Sequence, residues 1–403
     1  MKAAIMGYGT IGSGVYEVLD KNCKSVEKKA GEPIEVKYIL DLREFPGSPV
    51  EKLVIHDVEQ IVNDPEIGIV VETMGGTKPA YEFVKHCLLA GKHVVTSNKA
   101  LVAAHGTELI RIAAEKNISF LFEASVGGGI PIIRPLVESL GGEEILEISG
   151  ILNGTTNYIL TKMNEEGWSF EEALKRAQEL GYAERNPEAD IEGYDTCRKI
   201  AILTAVATGK EVNYEEIPTQ GITKITSMDS SYAAHMGAAI KLFGTSVNKD
   251  GKIYLEVAPV LVDAKDPLYA VTDVFNGILV VGNMLGVSMF YGSGAGKLPT
   301  ASAVVGDMIS AVRFGDEPEK ISWSSEKLEV HPAAELSRKY FARFEGSERA
   351  KKEAVVAAFG DVKFVTLEGT DEFAVLTGEM TGKEFDSAAA KVGGLRQKIA
   401  ARL

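Results

Sequence analysis

Gly7-Tyr8-Gly9-Thr10-Ile11-Gly12 decides the fold of the first third of this chain. A short apolar run at residues 2–6 precedes it, and a helical pattern through Val15, Val18 and Leu19 follows. Between a strand and a helix, Gly7 allows a tight turn and Gly9 lets backbone approach a pyrophosphate. Gly12 lets the helix pack close to the strand, and the helix N-terminus, from Thr10 and Ile11 on, turns amide donors to the phosphates. The spacing predicts the opening β-α-β unit of a dinucleotide-binding domain.

The pattern continues outward. Strand-like segments at 34–40, 67–72, 93–96 and 118–122 alternate with helical ones at 80–90 and 106–116. This alternation predicts a Rossmann-type, doubly wound parallel sheet within an α/β protein. At the end of the second strand stand Asp41 and Arg43. Asp41 would accept from a free ribose hydroxyl and favour NAD, whereas Arg43 would pair with a 2′-phosphate and favour NADP. With both present, either cofactor remains open. Thr73, Gly75, Ser97 and Lys99 at the following strand ends, and Gly294 in a later glycine-rich loop, complete the expected cofactor contacts.

The remaining residues divide into a second mixed-sheet α/β domain over 131–300 and a small α+β module over 335–403, after a dinucleotide-binding domain over 1–130. In the second domain, 145–151, 221–226 and 252–261 read as strands, and 133–140, 156–165, 170–180, 195–208 and 229–243 as helices. Residues 301–314 read as a helix returning to the first domain, followed by a charged linker from Asp316. The tail reads strand 339–344, helix 347–358, strands 362–367 and 372–377, then helix 383–401.

Bulk properties narrow the partners. A net charge of −14 and a pI near 5.1 disfavour nucleic acid and anionic membrane surfaces. Cys23, Cys87 and Cys197 are scattered without metal-ligand spacing, as expected of reduced thiols in a cytoplasmic protein. The N-terminus leads straight into the glycine turn, leaving no room for a signal peptide, and the apolar stretches near 200–207 and 278–290 are too short or interrupted to span a bilayer. Gly292-Ser-Gly-Ala-Gly-Lys-Leu298 falls short of an ATP-binding phosphate loop, because Tyr291 replaces its first glycine and Leu298 its hydroxyl.

Three stretches carry chemistry. Glu184, Asp190, Asp195 and Lys199 lie just before and on the opening turn of the apolar run 200–207. Asp195 and Lys199 share a helix face, so a lysine meets carboxylates at the mouth of an apolar helix, an arrangement for moving protons on a small polar substrate. Glu123-Ala-Ser-Val-Gly-Gly-Gly-Ile-Pro131 would turn carbonyls inward, suiting a hard cation or a backbone-lined pocket. Asn153-Gly-Thr155-Thr-Asn places amides and hydroxyls at a helix N-terminus, where a carboxylate docks.

Together with SNKA at 97–100 and GSGAGKLPTASAVVGD at 292–307, these segments resemble homoserine dehydrogenases, in the same order over most of residues 1–315. The resemblance implies interconversion of L-aspartate 4-semialdehyde and L-homoserine with NADPH or NADH, in the biosynthesis of threonine, methionine and isoleucine. It implies that Lys199 is the acid/base that protonates the developing alkoxide and that Lys99 is a second catalytic lysine. Substrate contacts would come from Glu184, Asp190, Asp195, Asn153 and Thr155. A monovalent cation, Na⁺ or K⁺, would be held by carbonyls of Glu123, Val126, Gly128 and Ile130. A homodimer or higher homo-oligomer through the second domain is likewise implied. Leu40 stands where many relatives place a basic residue before the aspartate, leaving Arg43 to read a 2′-phosphate. The tail is similar to the ACT regulatory domain of longer members, but Glu345-Gly-Ser-Glu-Arg replaces the usual Asp-x-Pro-Gly loop, which points to assembly rather than to threonine binding.

Two rival readings make distinct demands. An acylating aldehyde dehydrogenase needs a cysteine nucleophile with a histidine base, and the candidate, Cys197, points off the face of Asp195 and Lys199. A non-catalytic dinucleotide-sensing protein of the same fold would have no use for Lys199, Lys99 and the carboxylates.

Overall fold

The computed structural model describes residues 1–315, 317–318, 321 and 323–403. Asp316 and Glu319 of the expected charged linker lie outside them. The chain begins with β1 (Lys2–Met6), α1 (Thr10–Lys21), α2 (Cys23–Ala30), β2 (Glu35–Leu40), β3 (Val54–Ile55) and α3 (Glu59–Val62). It goes on through β4 (Ile67–Glu72), α4 (Ala80–Leu89), β5 (His93–Thr96), α5 (Lys99–Lys116) and β6 (Phe120–Leu121). These strands form one six-stranded parallel sheet in the order β3-β2-β1-β4-β5-β6. The order reverses at β1/β4, which opens a crevice at the carboxyl ends of the strands. Ala3–Met6 of β1 and Ile69–Val71 of β4 are fully buried, as strands covered on both faces must be. Helix α5 begins at Lys99 rather than near Gly106, because the Asn98 side chain accepts from Leu101 N and caps it.

The chain continues with β7 (Ile145–Ile151), α6 (Gly154–Glu165), α7 (Phe170–Glu179), α8 (Glu188–Ile191), α9 (Tyr194–Thr208), β8 (Lys210–Glu211) and α10 (Ser227–His235). Next come β9 (Ala238–Lys249), β10 (Lys252–Asp263), β11 (Phe275–Gly282), β12 (Gly286–Ser293), α11 (Lys297–Arg313), β13 (Ser324–Lys327) and β14 (Val330–Pro332). Last are β15 (Lys339–Glu345), α12 (Glu348–Phe359), β16 (Lys363–Val365), β17 (Glu372–Leu376), α13 (Gly382–Val392) and β18 (Leu395–Arg402). Two compact units result. The first holds Met1–Glu143, Ala201–Tyr214 and Gly292–Leu328, and the second Glu144–Ile200, Glu215–Tyr291 and Glu329–Leu403. In the first unit, α11 packs on α1 at Gly14, where a Cβ would stand 2.9 Å from the Lys297 carbonyl oxygen and 3.0 Å from Ala301 Cβ.

The second unit is built on a ten-stranded mixed sheet, β12-β11-β7-β9-β10-β18-β15-β17-β16, with β14 beside β10. Phe243, Val260, Val262, Leu268 and Leu279 fill one part of its core, and Phe344, Phe373, Val375 and Phe385 another. The tail, read from sequence as a module of its own, is stitched into this sheet by β18, which pairs parallel with β10 at Val260–Val262 and antiparallel with β15.

Several expectations are corrected. The helix expected over 229–243 stops at His235, because Gly237 turns left-handed at φ +69°, and the rest becomes β9, paired with β10 along its whole length. The helix expected over 383–401 stops at Val392 for the same reason, Gly393 (φ +69°) and Gly394 (φ +74°), and β18 follows. Residues 221–226 form turns rather than a strand, whereas 133–139 is helical as expected, with Pro135–Ser139 wound as a π-helix.

Lys241 of β9 is only 2% exposed, and its Nζ donates to the Val271 carbonyl at 2.6 Å. Burial pulls this ammonium down from 10.5 to about 8. Between these two pH values the unfolded chain holds a proton that the folded chain has released, so stability rises with pH across that window. Below pH 8 both states are protonated and the cost is constant. Urea unfolding at stepped pH is therefore expected to show the wild type gaining about 3 kcal/mol relative to Lys241→Met by the top of the window. A parallel pH dependence of the two proteins would contradict this.

Candidate active site

The first unit supplies a glycine turn shaped for a pyrophosphate. Gly7 has φ +93°, and a Cβ on Gly12 would stand 1.9 Å from the Gly7 carbonyl oxygen. A Cβ on Gly9 would meet nothing within 4 Å, so this backbone faces open space at the start of α1, with Thr10 its first residue and Ile11 beside it. Tight packing at Gly12 and clearance at Gly9 are what close approach of a dinucleotide needs.

At the end of β2, Asp41 and Arg43 are partners. Arg43 Nε donates to Asp41 Oδ1 at 2.9 Å and Nη2 to Oδ2 at 2.8 Å. The same carboxylate accepts from Tyr8 N at 2.7 Å and Arg43 N at 3.0 Å. The guanidinium holds the Asp41 carboxyl well below the usual carboxylate range. Each carboxylate oxygen thus has two donors, while the Arg43 side chain remains 60% exposed. Thr73 donates to the Gly7 carbonyl at 2.8 Å, tying the loop that carries Gly75 (φ +78°) to the glycine turn. Ser97 and Lys99 flank the cap at the start of α5, both partly exposed.

The Glu123 loop lies in the same unit. Its carboxylate accepts from Ile132 N (2.6 Å), Ile133 N (2.8 Å) and Arg134 N (2.8 Å). Asp307 accepts from Glu123 N at 2.9 Å and pairs with Arg134 at 2.8 Å, a brace between residues too far apart in the chain to be read from it. Gly128 has φ +58°, and a Cβ there would lie 2.3 Å from the Gly294 carbonyl oxygen. No group of three or more His, Cys, Asp or Glu side chains suited to a metal occurs among the described residues.

In the second unit, sequence-distant residues converge. Lys199, 7% exposed, donates to the Leu152 carbonyl at 2.7 Å and pairs with Asp195 Oδ2 at 2.8 Å. Asn153 Nδ2 donates to Asp190 Oδ1 (2.7 Å) and to Asp195 Oδ2 (2.9 Å). Its Oδ1 accepts from Thr156 N, capping α6. Asn153, expected against the substrate, thus bridges two carboxylates. Thr155 donates to the Tyr182 carbonyl at 2.6 Å, and Glu184 is exposed between α7 and α8. Cys197 is buried, and burial pushes its thiol up, the opposite of what a nucleophile needs.

A parallel sheet of this order with an open glycine turn in one unit, and a buried lysine–carboxylate cluster in the other, define a dinucleotide-dependent oxidoreductase. Residues 7–123 match the family profile described as homoserine dehydrogenase, NAD binding domain, and residues 131–309 the one described as homoserine dehydrogenase. The chain belongs to the homoserine dehydrogenase family. The homoserine dehydrogenase of Synechocystis sp. is 43% identical over 361 residues, 85% of this chain and 82% of that one. The structure of a homoserine dehydrogenase from Thiobacillus denitrificans superposes with a TM-score of 0.90 at 33% identity, covering 100% of this chain and 98% of that one. A hyperthermophilic archaeal homoserine dehydrogenase in complex with NADPH gives a TM-score of 0.67 at 30% identity, covering 77% of this chain and 97% of that one. The activity is interconversion of L-aspartate 4-semialdehyde and L-homoserine, a step of aspartate-family amino-acid biosynthesis. Among the described residues, no helix is long and apolar enough to cross a membrane.

Proposed function

We propose that Lys199 is the proton donor and acceptor of this reaction, and that Asp190 and Asp195, with Glu184 at the rim, bind the substrate ammonium and hydroxyl. The nicotinamide supplies or accepts the hydride. Reduction of the aldehyde places negative charge on its oxygen, which the Lys199 ammonium stabilises and protonates; in the other direction the amine removes the hydroxyl proton. The observation that carries this assignment is the Lys199–Asp195–Asn153–Asp190 chain of contacts, buried at all but Asp190. Asp195 holds the lysine in place, and Asn153 fixes both carboxylates. Lys99, on the cofactor-binding unit, acts as the second catalytic lysine.

The cofactor preference follows from the Asp41–Arg43 pair. A carboxylate whose oxygens already have four donors has little left for a ribose hydroxyl, and its charge is compensated. The exposed guanidinium favours a 2′-phosphate, so NADP(H) is preferred to NAD(H). Arg43→Ala is expected to raise KM for NADPH roughly tenfold and for NADH less than about twofold. Equal effects would remove Arg43 from this role. A monovalent cation, Na⁺ or K⁺, held by the Glu123–Ile130 carbonyls, a cytoplasmic homodimer formed through the second domain, and an ACT-like tail serving assembly complete the proposal. So does the division into cofactor (1–130 with 301–314), substrate (131–300) and tail (335–403) domains.

The deciding assay is oxidation of L-homoserine by purified protein, followed as absorbance of reduced nicotinamide with NAD⁺ and NADP⁺ in parallel. Turnover, faster with NADP⁺, is expected. Tight dinucleotide binding without turnover, with Na⁺ or K⁺ supplied, would favour the sensing protein instead.

A further inference from the structure

Glu72 ends β4 at the ligand-binding edge of the first unit, and none of its surface is exposed. Its Oε1 accepts from Met74 N at 2.8 Å, Gly75 N at 3.3 Å and Asn98 Nδ2 at 3.4 Å. Its Oε2 accepts from the Thr96 hydroxyl at 2.5 Å. That hydroxyl in turn accepts from Asn98 N at 2.9 Å, which directs its own proton to Glu72. No lysine or arginine pairs with Glu72 among the described residues. Burying an anion without a cation is costly, and burial does push this carboxyl up. The four donors offset that cost, and all present hydrogen to it, the geometry of a carboxylate.

The donors belong to two loops at the carboxyl ends of β4 and β5. One, residues 73–76, is tied to the glycine turn through Thr73 and to Asn98 through the Gly76 carbonyl, 2.6 Å from Asn98 Nδ2. The other, 96–98, ends in the cap of α5, on which Lys99 stands. In a sheet of this order the half built from β1–β3 takes the adenosine part of a dinucleotide and the β4–β6 half takes the nicotinamide part. The geometry points to Glu72 as the positioning residue for the nicotinamide half: one buried carboxylate sets both loops beneath it. This rests on the dinucleotide reading given above. A glutamine would fit the space, but its amide N–H₂ can face only the Thr96 hydroxyl, which must then accept instead of donating, and the charge that holds both loops is lost.

The test uses the full chain and equilibrium titration calorimetry, which needs no turnover. Two probes are compared for wild type and Glu72→Gln: NADPH, and its adenosine fragment adenosine 2′,5′-bisphosphate. NADPH is expected to bind roughly tenfold more weakly to the variant, the scale of one lost charge-assisted hydrogen bond, while the fragment changes less than about twofold. Thr96→Val, which removes one donor and leaves Glu72 in place, is expected to show the same selective loss at roughly threefold and stands in if Glu72→Gln does not fold. Unchanged NADPH affinity in the variants, or equal losses for NADPH and the fragment, would overturn the assignment. Failure of the wild type to bind NADPH or NADH at all would overturn the dinucleotide reading itself.

Discussion

Lys199→Ala is expected to lower kcat by between about 10³- and 10⁵-fold, with cofactor binding retained. The range combines loss of general acid–base catalysis with loss of the cation facing the developing alkoxide. Lys199 is buried and pairs with Asp195, so truncation also leaves a carboxylate at 3% exposure without its ammonium. Folding must therefore be checked beside activity. Lys199→Arg keeps the charge but replaces a compact ammonium by a planar group that does not release its proton, and should remain far below wild type. Steady-state rates of homoserine oxidation, read beside NADPH affinity from calorimetry, decide the matter. A variant with near-normal kcat takes Lys199 out of the mechanism.

The second large effect is expected at Gly12. An alanine there would put Cβ 1.9 Å from the Gly7 carbonyl oxygen and 2.9 Å from Thr73 Oγ1. The first contact is with backbone that cannot step aside without opening the turn, and α1 must then lift from β1. Dinucleotide affinity is expected to fall roughly 100-fold, because the turn and the helix amides act on the pyrophosphate together. Gly9→Ala is the control: its Cβ meets no protein atom within 4 Å, so the fold tolerates it and any loss reports on the ligand alone. Calorimetry with NADPH, next to melting curves, separates the two. Undiminished affinity in Gly12→Ala would show that the turn does not carry the pyrophosphate.

The parallel sheet was legible because its signals are local. The glycine turn, the apolar strands and the helix between them each span a few residues, and the order β3-β2-β1-β4-β5-β6 follows from how such units wind. The lysine–carboxylate pairing was legible for the same reason, since Asp195 and Lys199 lie one helical turn apart. Asn153 was harder to read. Its bonds to Asp190 and Asp195 cross a long stretch of sequence, and nothing within the GILNGTTNYIL segment announces them. Glu72 was hidden differently, since a glutamate after an apolar strand reads as the point where the strand meets solvent. Boundaries failed where glycine outweighed periodicity. The helical reading of 229–243 runs across the end of Ser227–His235 and the start of Ala238–Lys249, and the left-handed Gly237 divides helix from strand.

The seam between β10 and β18 bears on how this chain can be shortened. With residues 329–403 cut away, the Val260–Val262 stretch of β10 would lose its neighbour and present a row of unsatisfied peptide groups flanked by apolar side chains. Natural sheets protect such borders with charge, proline or a covering segment, and an unguarded one recruits whatever extended peptide it meets first. The tail thus doubles as a selvedge, finishing a fabric that would otherwise fray into self-association.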